Sequence, residues 1–330
     1  MKEKDEIKKV KKYIKTSDTI FIQGHKNLDL DAISSNIGLY YILEKLNKKC
    51  YIIIDDVEHE MGVKKVLHEI EGCYNIITSD EIESKMNKRA KKNLLIISDT
   101  NKKELVQSKK ALDLMQKRIV IDHHELGKTS IKEGLILIDT KTSSACELIV
   151  RLADLYNIKF SSYIATLLLS GITLDTNNFM LNTNEETFYT AYYLTVYGAS
   201  TKKVQYLLKQ DLASYSEEQK LLTNIDILDG KIAIAKAAEN AIYRRQDLAR
   251  IADTLLFFND IDVSIVVGKI SKDEVGVSAR SIERNIEPLV TKLGGGGNEN
   301  NGAAVITNKK INEIVEKIKK HLEEEAKQCK

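Results

Sequence analysis

The sequence is short of cysteine, of proline and of any surplus of charge, and it has no long hydrophobic run. Its four cysteines, Cys50, Cys73, Cys146 and Cys329, stand far apart, with no CxxC pair. That spacing excludes a structural zinc site and points to reduced thiols in a cytoplasm. Pro288 is the single proline, and the four glycines from Gly294 to Gly297 are the one biased stretch. Fifty basic residues face 48 acidic ones, a net charge of +2. So even a balance gives no general case for a long nucleic acid or a membrane surface, and leaves room only for a local basic groove. The apolar stretch around Ile164 to Ser170 is too short and too interrupted to cross a bilayer. Met1 to Lys15 is charged throughout and lacks the apolar core of a signal peptide. A soluble, cytoplasmic chain without a membrane segment is the expectation.

What remains is an ordinary globular mixture, 43% hydrophobic and 30% charged, in 330 residues. That length allows one to three domains with a sizeable core. Apolar runs at Thr19–Ile22, Cys50–Ile54, Tyr74–Ile77, Leu94–Ile97, Arg118–Ile121 and Leu135–Ile138 read as strands. Helical patterns separate them, including Asp80–Lys92 and Lys103–Gln116. This alternation predicts an α/β fold with a parallel doubly wound sheet. From Ser144 to about Asp211 the pattern is helical. Ser144-Ala145-Cys146-Glu147 reads as a capping box, with Ser143 and Ser144 as caps, and the helix starting at Tyr163 delivers Asp175. Beyond a helical or mixed connector over 212–230, the character changes. Strands at Ile232–Ala235, Val263–Val267, Val275–Arg280 and Ala303–Ile306, with helices at Leu248–Phe258 and Lys309–Lys330, predict a smaller α/β domain with a mixed sheet. The expected domains are therefore 1–211 and 231–330.

The polar residues at the strand ends carry the chemistry. The octet Gly24-His25-Lys26-Asn27-Leu28-Asp29-Leu30-Asp31 follows the first strand and opens a helix. Asp99 follows the Leu94–Ile97 run, and Asp122, His123 and His124 follow Arg118–Ile121. In open α/β sheets the crevice outside the carboxyl ends of the strands is where ligands bind. A plainer reading makes Asp31 a helix cap. Yet five aspartates in one crevice would repel one another and force some to protonate unless cations intervene. Two divalent ions sharing one carboxylate relieve this, and can activate a water in a phosphoryl displacement. Carboxylates with two imidazoles suit Mn²⁺, with Mg²⁺, Co²⁺ or Fe²⁺ as competitors. His59, His68 and His321 lie in polar helical contexts and are expected to be solvated.

The motifs GHKN-x-D-x-D (Gly24–Asp31), SDTN (Ser98–Asn101), DHH (Asp122–His124) and GI-x-x-DT (Gly171–Thr176) together resemble the four motifs of DHH phosphoesterases. Val277-Ser278-Ala279-Arg280-Ser281 and the glycine run before Ala303-Ala304 resemble the DHH-associated domain. The resemblance covers nearly the whole chain and is strongest to the catalytic core of GdpP-type cyclic-di-AMP phosphodiesterases. It implies that His25, Asp29 and Asp99 hold one metal ion, and that Asp31, Asp99, His123 and Asp175 hold the other. His124 would contact the scissile phosphate and Asp122 would orient its neighbours. Arg280, Ser281, Gly295, Gly296, Gly297 and Asn298 would bind substrate, with the active site in the cleft between the domains. The implied reaction is metal-dependent hydrolysis of cyclic di-AMP to pApA. The alternatives are a nanoRNase or pAp phosphatase acting on pApA or short RNA, and a nucleotide-binding sensor without catalysis. Oligomeric state, a homodimer included, stays open. The chain departs from the family pattern at Leu28, where proline is usual, at Asn182, where an arginine is expected nearby, and at Asn298, where histidine is usual. It lacks the membrane helices, PAS domain and degenerate GGDEF domain found upstream in GdpP-type proteins, which leaves a stand-alone enzyme and an excised core as alternatives.

Overall fold

A computed structural model describes residues 2–55 and 59–328, and Cys329 and the end of the expected terminal helix lie outside them. The chain divides into two units, Met1–Lys209 and Gln210–Lys330.

The first unit opens with helix α1 (Lys2–Lys15) and is built on six strands: β1 (Thr19–Gln23), β2 (Lys49–Ile53), β3 (Ile76–Ile77), β4 (Asn93–Ser98), β5 (Arg118–Asp122) and β6 (Leu135–Ile138). They lie in the order β3-β2-β1-β4-β5-β6, with every pair parallel. The strands are apolar on both faces, as a sheet covered on both sides requires. On β4, Leu94 and Ile96 enter one core while Leu95 and Ile97 enter the other. The first core is closed by α2 (Leu30–Lys45), α6 (Ala145–Asp154) and α7 (Ser162–Asp175). Around them lie α3 (Met61–Glu69), α4 (Ile82–Lys85), α5 (Lys109–Leu114), α8 (Glu185–Val196) and α9 (Thr201–Leu207). The α2 helix is buried almost continuously from Leu30 to Leu43, because helices cover it on the side away from the sheet.

Two expected helices shrink. Of Lys103–Gln116 only α5 is helical, started by Ser108, whose side chain accepts from the Ala111 N–H. The residues before it are pinned beside the octet: Lys26 N–H donates to Leu105 O and Gln107 N–H to Gly24 O, so their backbone cannot close helical turns. Asp80–Lys92 keeps only α4 and two short 3₁₀ turns.

The second unit holds a mixed sheet, ordered β11-β12-β10-β9-β8-β7. Its strands are β7 (Ile225–Leu228), β8 (Ile232–Lys236), β9 (Val263–Lys269), β10 (Glu274–Ser281), β11 (Gly296–Gly297) and β12 (Asn301–Thr307). Only β8 and β9 run parallel. Its helices are α10 (Leu212–Gln219), α11 (Arg245–Leu255), α12 (Glu287–Lys292) and α13 (Ile311–Gln328). Ile311, Ile314, Ile318 and Leu322 line the buried face of α13, as their spacing predicts. The stretch 212–230 is not a connector but part of this unit. Its β7 forms an edge strand on β8, and the buried Glu218 of α10 accepts two hydrogen bonds from Arg250 of α11 at 2.8 and 2.9 Å. Among the described residues no helix is long and apolar enough to cross a membrane.

Candidate metal centre

The direction of strand addition reverses between β1 and β4, and the carboxyl ends of these two neighbours frame a crevice. The octet leaves β1 and enters α2. Asp29, not Asp31, caps the helix: its Oδ1 accepts from the Ala32 N–H at 2.9 Å, and its Oδ2 faces His25 Nε2 at 3.6 Å. Asp31 sits in the first turn of α2 and is fully buried. Its two oxygens accept from the Ala145 and Cys146 N–H groups at 2.7 and 2.9 Å, so the positive end of α6 grips the carboxylate. Gly171 on α7 leaves room for it, because a Cβ there would stand 2.7 Å from Asp31 Oδ1.

Asp99 leaves β4 in the left-handed region, at φ 56°. Such a backbone is uncommon outside glycine, asparagine and aspartate, and it clusters at functional sites. The result is that each Asp99 oxygen meets a different imidazole: Oδ2 faces His25 Nε2 at 3.3 Å, and Oδ1 faces His123 Nε2 at 3.4 Å. His123 Nε2 also lies 3.3 Å from Asp175 Oδ2, delivered by the last residue of α7. Asp122 is fully buried and its Oδ1 accepts from the His123 and His124 N–H groups and from His124 Nδ1 at 2.8 Å. A carboxylate only accepts, so His124 carries its proton on Nδ1 and turns Nε2 outward. The His124 side chain is 56% exposed, against 14% for His123.

The charges fit a cation. Burial pulls the His25 and His123 imidazoles down, but the facing carboxylates outweigh it and hold both well above their usual value. Burial would raise Asp99, yet the same imidazoles hold it below the usual carboxylate range. Burial, then the charges of Asp175 and Asp99, push Asp31 well above that range, and burial pushes Asp175 up to about 6. Two carboxyls are thus driven toward protonation where a metal ion would supply the missing charge. Among the described residues Asp99 Oδ1 and His123 Nε2 are buried without a hydrogen-bond partner, as convergent ligand atoms are. His25, Asp29 and Asp99 offer ligand atoms within 4.8 Å of one another, and so do Asp31, Asp99, His123 and Asp175.

The residues expected to bind substrate lie in the second unit and are engaged there. Arg280 on β10 donates its Nε to Asp253 Oδ1 at 2.6 Å. Ser281 Oγ accepts from the Arg284 N–H. Asn298 Oδ1 accepts from the Asn300 and Asn301 N–H groups at 3.0 and 2.7 Å and so closes the β11–β12 hairpin. A Cβ at Gly295 or Gly297 would strike the backbone oxygen of Ala303 or Asn301, whereas Gly296 faces open space. Glycine at 295 and 297 therefore answers the close approach of β12. His68 is solvated as expected. His321 is not: its Nε2 lies 3.0 Å from Glu325 and its Nδ1 2.9 Å from Lys292 Nζ. His59 sits half-buried in the loop before α3, not on a helix.

Some residues of the centre carry no ligand atom and went unassigned. Asn101 donates to Asp122 Oδ2 at 2.6 Å and to His124 O at 3.1 Å, holding the DHH turn in place. The signal was its place in the SDTN motif. The backbone donors Ala145 and Cys146 left no side-chain signal at all.

Fold and centre together define an α/β protein with a histidine–aspartate cluster, suited to a cation, at a sheet's switch point. The model of the DHH family, N-terminal domain, matches residues 19–172, and that of the DHHA1 domain matches 229–324. The chain thus carries a DHH-family N-terminal domain followed by a DHHA1 domain. It is 32% identical over 315 residues to the cyclic-di-AMP phosphodiesterase GdpP of Geobacillus thermodenitrificans, covering 94% of this chain and 48% of that protein. It is 25% identical over 309 residues to the bifunctional oligoribonuclease and PAP phosphatase NrnA of Mycoplasma genitalium, covering 92% of this chain and 93% of that one. Its fold is similar to that of an exopolyphosphatase-related protein from Bacteroides fragilis, with a TM-score of 0.78 at 19% identity over 97% of this chain and 96% of that one. The chain spans about half the length of the phosphodiesterase relatives it matches.

Proposed function

We propose that this chain is a phosphodiesterase that opens cyclic di-AMP to pApA with two divalent metal ions, manganese by preference. One observation carries the reading: Asp99 turns one oxygen to each of two imidazoles, and each imidazole belongs to its own set of carboxylates. His25, Asp29 and Asp99 would hold one ion, and Asp31, Asp99, His123 and Asp175 the other. Bound there, such ions neutralise phosphoryl oxygens and lower the pKa of a water.

The chain's own side chains do the rest. Burial pulls His124 down, but its bond to Asp122 outweighs this and holds the imidazole above its usual value. An imidazolium donates from the outward Nε2 to a phosphate oxygen and can pass a proton to the leaving alkoxide. Asp122 and Asn101 fix the ring's direction. Arg280, Ser281 and the 295–298 stretch supply substrate contacts in this reading, and Arg280 would meet a phosphate while held by Asp253.

A second reading is an oligoribonuclease and PAP phosphatase. It is favoured by the match to NrnA, which spans 93% of that protein rather than half. One competition assay separates the two. Purified chain with Mn²⁺ receives cyclic di-AMP, pApA, a short RNA and pAp, and products are followed by chromatography. Conversion of cyclic di-AMP to pApA as the preferred reaction is expected. Cleavage of the linear substrates with cyclic di-AMP intact overturns the cyclic assignment.

A further inference from the structure

The capping box at the start of α6 is only half formed. Ser144 Oγ accepts from the Glu147 N–H, but the Glu147 side chain does not turn back to Ser144. It turns inward and is fully buried. Its Oε2 accepts from the Ser143 N–H at 3.3 Å, from Ser143 Oγ at 2.8 Å and from Thr187 Oγ1 of α8 at 3.1 Å. Its Oε1 accepts from Arg151 at 2.7 Å, and Arg151 reaches on to Asp139, just past β6, at 2.8 Å. A buried carboxylate with four donors from three segments is costly to desolvate and loses its justification if any partner moves.

The segment it fastens is the first turn of α6, whose Ala145 and Cys146 N–H groups hold both oxygens of Asp31. We infer that Glu147 is a positioning residue for the metal centre: it locks the α6 N-terminus so that Asp31 presents its carboxylate to a cation. The inference rests on the two-ion reading proposed above. Groups that orient a ligand commonly change metal affinity when removed.

The test is Mn²⁺ affinity of the full chain, read by electron paramagnetic resonance of free Mn²⁺, with no substrate present. Melting in chelator reports the fold separately. Glu147→Ala is expected to weaken one of the two bound Mn²⁺ ions by about 10–100-fold at a temperature where the chelated variant is still folded. Glu147→Gln keeps the bonds from Ser143 and Thr187 and loses that from Arg151, and should recover affinity to within about fivefold of wild type, the equivalent of one hydrogen bond. If Glu147→Ala does not fold, Thr187→Val removes the bond to Glu147, together with the one that Thr187 Oγ1 accepts from the Asn184 N–H at the start of α8, without stranding a charge, and should weaken Mn²⁺ measurably. Wild-type affinity in a folded Glu147→Ala or Thr187→Val protein overturns the positioning role while leaving the metal centre standing. A wild-type chain that binds no Mn²⁺ overturns both.

Discussion

At the scale of single residues the centre turns on Asp99. Its left-handed backbone and its two-sided carboxylate are separate properties, and substitutions can split them. Asparagine tolerates the same φ, so Asp99→Asn removes the charge and leaves the turn. Asp99→Ala adds backbone strain to the loss. Asp99→Asn is therefore the cleaner probe: it should melt within a few degrees of wild type in chelator, yet weaken Mn²⁺ by more than about the 100-fold that loss of an orienting neighbour causes. Isothermal titration with Mn²⁺ checks this, and near-native binding would remove Asp99 from the bridging position.

At the scale of elements the centre is a set of ends: β1, β4 and β5 at their carboxyl termini, α6 at its amino end, α7 at its last residue. Gly171 shows how tightly these ends meet. A Cβ there would lie 2.5 Å from Cys146 Sγ and 2.7 Å from Asp31 Oδ1, so Gly171→Ala must push α6, α7 or Asp31 aside. Overpacking of about 1–3 kcal/mol is expected, a fall in melting temperature of roughly 2–4 °C for each kcal/mol in a unit of this size. Thermal unfolding followed by circular dichroism reads it, and an unchanged melting temperature would mean that Gly171, Cys146 and Asp31 pack more loosely than described. These ends were legible in advance wherever an apolar run broke into aspartate or histidine, as at Asp99 and at Asp122–His124. They were illegible where backbone atoms do the work, as with the Ala145 and Cys146 N–H groups. Tertiary bonds also overrode local pattern. Lys103–Gln116 has helical spacing, but its first half is tied to Gly24 and Lys26. The 212–230 stretch reads as a linker until β8 offers Ile225–Leu228 an edge to pair with. Asn298 reads as a lost histidine until its side chain is seen closing a hairpin.

At the scale of the whole molecule, all six residues assigned to metal lie in the first unit, while the second has a hydrophobic core of its own. A cation stabilises whatever part of the chain holds it, by about 2.7 kcal/mol at a hundred times its dissociation constant. Calorimetry of the full chain should therefore show one melting step that rises with Mn²⁺ and another that does not. A single step that rises with Mn²⁺ would mean the units melt as one. The grip on Asp31 also sets an order in time. Its partners Ala145 and Cys146 stand 114 and 115 residues further along, and Asp175 comes later still. In the two-ion reading a ribosome delivers the first set, His25, Asp29 and Asp99, by residue 99, but completes the second only once residue 175 has emerged, so a nascent or truncated chain short of that point lacks a full second site. Capture of that second ion would then be a late checkpoint of synthesis, open only to chains in which residues 145, 146 and 175 have been brought back to Asp31.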